Sequence, residues 1–121
     1  HDGRMDYSAV PSGIFTSPEI GCVGLAEAQA SEAGRDVRTA TFQMRELGKA
    51  QAMGELAGLF KLVVEEGSGK LSERTTDLIA EAGLALRLGA SVRDIASTIH
   101  AHPTLAEGLY EAALSLVEAG G

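Results

Sequence analysis

A chain of 121 residues, 45% of them hydrophobic and 22% charged, is expected to form one soluble domain around a single core, which excludes a disordered segment. Its formal charge of −7 and ten scattered Lys and Arg exclude a phosphate-binding surface, and with it nucleic acid as a partner. No apolar run reaches the roughly 20 residues of a membrane span, and the N-terminus has no apolar signal region, so no membrane role and a cytoplasmic location are expected.

Residues 1–10 are polar and read as a linker, punctuated by Pro11-Ser12-Gly13 before a domain over residues 11–121. Ile14 to Val23 is short, extended and interrupted at Pro18. The lone cysteine, Cys22, cannot form an internal disulfide or a two-cysteine redox centre, and reads as a buried small hydrophobe. Leu25 to Ala33 is rich in Ala and Glu and closes at Gly34, the pattern of a short helix with a glycine after it. Val37 to Phe42 suits a strand, and residues 43–56, broken by Gly48 and Gly54, read as a loop or weak strand.

Leu59 to Glu65 is the clearest strand, running into Glu66-Gly67-Ser68-Gly69-Lys70, which has hairpin-turn composition. A helix is expected over Thr76 to Leu88, where Leu78, Ile79, Ala82, Ala85 and Leu86 recur at helical spacing before Gly89. Ser91 opens a shorter helical turn as its N-cap. The last helix runs from Thr104 to about Glu118 on a stripe of Leu105, Leu109, Ala112, Ala113 and Leu116. Strands first and helices later predict an α+β fold, an antiparallel sheet with helices packed on one side.

The chemistry-bearing segment is His100-Ala101-His102-Pro103-Thr104-Leu105-Ala106-Glu107. His102 stands just before the last helix, Pro103 sets the approach of the chain, and Glu107 lies in the first turn. A carboxylate there can fold back onto the imidazole, orienting it and stabilising its protonated form. It would also offset the positive end of the helix dipole, which disfavours imidazolium. Two other readings stand beside this one. Thr104-Leu105-Ala106-Glu107 matches a capping box, in which Glu only satisfies backbone donors. A metal site from His100, His102 and Glu107 would place three ligands on one short segment with no Cys in support, so no metal is expected.

His-Ala-His-Pro-Thr-Leu-Ala-Glu, residues 100–107, resembles the C-terminal signature of the flavin-dependent pyridine nucleotide–disulfide oxidoreductases, in the form of the dihydrolipoamide dehydrogenase branch. Val10 to Ile20 is similar to that family's entry into its dimerisation domain, and Gly21 to Glu27 continues the likeness. Gly58-Leu59-Phe60-Lys61-Leu62-Val63 resembles its central strand, and Thr76 to Ala90 the helix before the signature. The chain ends Val117-Glu118-Ala119-Gly120-Gly121 without the cysteine pair typical of the mercuric reductases. The resemblance implies a homodimer in which His102 is the active-site base and Glu107 its partner. His102 and Pro103 would face the FAD of the other subunit. It further implies FAD and NAD in the full-length enzyme, and as partner the lipoyl domain of a 2-oxoacid dehydrogenase complex.

Two departures qualify these expectations. No Gly-x-Gly-x-x-Gly fingerprint and no cysteine pair are present, so the chain is expected to be a fragment that binds no cofactor and does not oxidise dihydrolipoamide alone. About half a dozen residues, a strand's length, are also missing relative to the family between Leu71 and the helix of residues 76–88. Such a loss can open a sheet edge to another chain. The competing expectation is a non-catalytic assembly or binding scaffold derived from this domain.

Overall fold

The computed structural model describes residues 12–14, 20–71 and 79–120. The expected linker over residues 1–10, the break at Pro18, the start of the helix at Thr76 and the segment following Leu71 lie outside the described residues. Two short strands, β1 (Ser12–Ile14) and β2 (Ile20–Cys22), pair antiparallel. Helix α1 (Glu27–Glu32) follows, then β3 (Val37–Gln43), a 3-10 turn over Met44–Glu46, α2 (Gly48–Met53) and β4 (Leu59–Glu65). Helices α3 (Ile79–Leu88), α4 (Val92–Ser97) and α5 (Glu107–Ala119) complete the order.

β3 and β4 are antiparallel over their full length, from Val37 opposite Glu65 to Gln43 opposite Leu59. Alternation along β4 sorts its residues onto two faces. Phe60, Leu62 and Val64 point into the main core, where α5 supplies Leu109, Ala112, Ala113 and Leu116. Those four recur at i, i+3, i+4 and i+7, the spacing that turns one helical stripe toward a sheet. On the other face Val63 is buried, Lys61 pairs with Glu27 of α1, and Glu65 pairs with Arg35 at 2.8 Å. The α+β class with antiparallel pairing is as the sequence expects.

The turn after β4 does bring the chain back. Val64 bridges to Leu71, Lys70 bridges to Ser91, and the Val92 amide donates to the Gly69 carbonyl at 3.0 Å. The hairpin tip is thereby tied to the start of α4.

Within residues 43–56, expected to be a loop or weak strand, the structure instead places a 3-10 turn over Met44–Glu46 and helix α2 over Gly48–Met53. The glycines that suggest breakage are the ends of the helix. Gly48 begins it, and Gly54 stops it in the left-handed conformation with φ of 73°. Between them Ala50 is fully buried, and with Leu47 and Met44 it joins the main core, so tertiary packing holds a segment too short to be helical alone. Cys22 also differs from expectation. It is part-exposed, and its sulfur lies 3.1 Å from the Ser12 hydroxyl.

Ser91 does precede α4, in extended conformation. Asp94 reaches back to accept from the Ser91 amide and from its hydroxyl, both at 2.8 Å. The amide first, and the hydroxyl second, hold the Asp94 carboxyl below the usual carboxylate value. A carboxyl depressed in the folded state stabilises it fully above the unfolded value, and loses that contribution as pH falls through the folded one. Asp94→Ala is therefore expected to melt at a lower temperature than the parent at neutral pH. The gap should close as the solution is acidified below the carboxylate range, which thermal melts across pH will read.

Candidate functional site

Helix α4 ends at Ser97, and residues 98–106 carry the chain to α5. Thr98 closes α4 with its hydroxyl on the Asp94 carbonyl at 2.7 Å. The His102–Pro103 peptide is cis, and the Thr104 hydroxyl donates to the Ala101 carbonyl at 2.7 Å. α5 begins at Glu107, later than the Thr104 expected from the sequence, because residues 102–106 turn before the helix starts.

Glu107 does both things that the sequence leaves open. One carboxylate oxygen, Oε2, accepts from the Thr104 amide at 2.9 Å, which is the returning half of a capping box. The other, Oε1, meets His102 Nδ1 at 2.7 Å. The Thr104 hydroxyl is turned to Ala101, so the forward half of the box is not made. Capping and pairing are shared between two oxygens of one side chain.

A carboxylate only accepts, so Nδ1 of His102 carries the hydrogen of that bond. The neutral ring then has its lone pair on Nε2, which makes no hydrogen bond among the described residues, on a side chain 76% exposed. Such a ring can take a proton at Nε2 and share the resulting charge with Glu107 across Nδ1. Glu107 is suited to this. The Thr104 amide first, and the His102 bond second, hold its carboxyl below the ordinary glutamate value. It remains a carboxylate at neutral pH, and its contribution is lost only as acid passes the depressed value.

Gly108 fixes where Glu107 sits. It is buried, and a Cβ at that position would lie 2.2 Å from the Phe60 ring, so the first turn of α5 lies directly on β4. The sheet thus sets the height of Glu107, and Glu107 sets the ring of His102. Pro103, exposed beside His102, touches the outside of the molecule with it.

His100 does not join them. Its Nε2 is 2.7 Å from Glu81 Oε1 on α3, and its Nδ1 is 2.9 Å from the Thr98 carbonyl. The three-ligand metal arrangement is not assembled, and no cluster of three such ligands occurs among the described residues. Sequence reasoning missed Glu81 altogether. It lies 19 positions before His100, beyond the reach of any local spacing rule. None of the described helices is long and apolar enough to cross a membrane.

The family of the pyridine nucleotide-disulphide oxidoreductase dimerisation domain matches residues 10–113. The chain is 44% identical over 115 residues to a dihydrolipoyl dehydrogenase of Halobacterium salinarum, covering 90% of this chain and 24% of that protein. It is 42% identical over 119 residues to the dihydrolipoyl dehydrogenase of Geobacillus stearothermophilus, covering 93% and 25%. Among solved structures, LpdA from Mycobacterium tuberculosis superposes with a TM-score of 0.85 at 23% identity, over 93% of this chain and 26% of that one. The HOCl-induced flavoprotein disulfide reductase RclA from Escherichia coli, as its Cu(II) complex, gives 0.83 at 24% identity, over 91% and 26%. The structural likenesses speak to the fold. The chain spans about a quarter of the length of these relatives.

Proposed function

The chain belongs to the pyridine nucleotide–disulphide oxidoreductase dimerisation-domain family, and we propose from that premise that it is the interface domain of a dihydrolipoyl dehydrogenase. In this reading it pairs two subunits and offers His102 and Glu107 as an acid–base pair to a dithiol–disulfide site on the other subunit. The observation that carries the reading is the 2.7 Å bond between His102 Nδ1 and Glu107 on a ring left 76% exposed. The bond sets which nitrogen carries the hydrogen and leaves the other, Nε2, on the exposed side of the ring.

The chemistry follows from the thiol. A free thiol ionises near pH 8.5, and only the thiolate attacks a disulfide. His102 Nε2 takes the proton as the sulfur of a dihydrolipoyl group attacks, and Glu107 balances the imidazolium through Nδ1. In the reverse direction the same nitrogen returns the proton to the departing thiolate. The substrate would arrive on a lipoyl domain of a 2-oxoacid dehydrogenase complex. FAD and NAD in the full-length protein would supply the electron transfer. The exposed edge formed by His102 and Pro103 suits a group bound elsewhere and presented to it.

The homodimer has a surface to match. Leu84 and Leu88, one turn apart on α3, are 61% and 73% exposed, and Ile99 is 97% exposed. Apolar side chains left out in this way favour a contact that covers them. Light scattering of the 121-residue chain is expected to give the mass of a dimer, and Leu88→Asp to shift it toward a single chain. A single-chain mass for the parent at every concentration would count against the interface reading. Site sharing has its own test in the full-length protein. Subunits carrying His102→Gln, and subunits without the redox cysteines, should each be strongly impaired alone and recover turnover when mixed into hybrids. No recovery in hybrids of proven composition would reject it.

A further inference from the structure

The buried imidazole in this region is not the one assigned to proton transfer. The His100 side chain is only 6% exposed, and three elements hold it. Glu81 of α3 meets Nε2 at 2.7 Å, and the Thr98 carbonyl at the end of α4 meets Nδ1 at 2.9 Å. Its ring stands 5.6 Å from that of Tyr110 on α5, tilted by 44°. Both nitrogens lie within hydrogen-bond distance of an oxygen, and turning the ring would break both contacts. In a buried place an unmade bond of this kind is costly, and the arrangement resists rotation of the ring.

The position of this clamp in the chain gives it a consequence. His100 lies two residues before His102, in the same irregular segment, which has no strand or helix of its own to define its path. Glu81 lies three and seven residues before Leu84 and Leu88, a spacing that puts all three on one side of α3. We propose that His100 is a positioning residue: through Glu81 it locks the segment of residues 98–106 to α3, so that the helix presenting the exposed leucines also sets the place of His102. The acid–base ring is then registered to the apolar surface rather than to the core alone. The catalytic consequence rests on the function proposed above, while the positioning itself does not.

The test separates the two. Nitrogen-detected NMR of the histidine rings in the 121-residue chain reads the His102 Nδ1 hydrogen bond directly. Glu81→Ala removes a part-exposed side chain and should shift and broaden the His102 ring signals well below the melting temperature. Glu81→Gln, which can still hydrogen-bond His100, should restore them. In the full-length protein Glu81→Ala should lower kcat for dihydrolipoamide by roughly 10- to 100-fold, as expected when a reacting group is misplaced by about an ångström. KM and flavin content should be unchanged, and Glu81→Gln should recover most of the rate. Unmoved His102 signals in Glu81→Ala overturn the proposal, and so does a loss that Glu81→Gln fails to restore. Moved signals with His102→Gln fully active would instead reject the function proposed for His102 and leave the positioning intact.

Discussion

Replacing His102 with Gln in the full-length protein is expected to lower dihydrolipoamide turnover by roughly 10²- to 10⁴-fold, the range a positioned base contributes. Dimer mass and flavin content should not change, because the ring is 76% exposed in the single chain and lies outside its hydrophobic core. The loss should depend on pH in a defined direction. Without a base, reaction relies on thiol that ionises by itself, and that fraction rises by about 25-fold between pH 7 and 9 for a thiol near pKa 8.5. The ratio of parent to variant rate should therefore narrow toward alkaline pH. Glu107→Gln should cost less than the loss of His102, since it keeps a hydrogen-bonding partner for Nδ1 while removing the charge that balances imidazolium. Steady-state rates from pH 6 to 9 will check this. A His102→Gln enzyme within about twofold of the parent, far under the contribution of a base, would end the catalytic assignment.

The second large effect is expected at Gly108, and two opposed terms decide its sign. In a helix Ala is favoured over Gly by up to about 1 kcal/mol, which on its own would make Gly108→Ala stabilising even in the first turn of α5. Against that, the added Cβ would lie 2.2, 2.4 and 2.7 Å from three carbons of the Phe60 ring. Phe60 is 1% exposed and packed within the main core, so the ring has nowhere to turn. Overpacking a core typically costs about 1–3 kcal/mol and occasionally more, and an overlap this deep belongs at the upper end. We expect a net loss near 2 kcal/mol, or a melting temperature lower by about 5–15 °C. Adding Phe60→Leu should recover part of it, giving a coupling between the two sites in a double-mutant cycle. A melting temperature equal to or above the parent's would mean that α5 does not lie on the sheet as closely as described.

What the sequence by itself determined is local. Leu59 to Glu65 is legible as a strand because its dense Phe, Leu and Val are bounded by Gly58 and by the Gly67-Ser68-Gly69 turn. The buried stripe of α5 is legible because Leu109, Ala112, Ala113 and Leu116 repeat with the helix period. The His102–Glu107 contact was within reach for the same reason. Five positions separate the two residues, and a capping-box spacing already turns that carboxylate back toward the chain before the helix.

Tertiary structure decided the rest. It made a helix of residues 48–53, where two glycines argued for a loop, because burial of Leu47 and Ala50 outweighs weak local propensity. It gave His100, in an irregular segment, a partner 19 residues away on helix α3. It gave Gly108 its meaning through Phe60, a residue on the sheet that no spacing along α5 could indicate. Short-range patterns record which face of an element is apolar and which side chains share a turn. Which element lies against that face, and how closely, depends on where the chain returns, and that is settled only when the core packs.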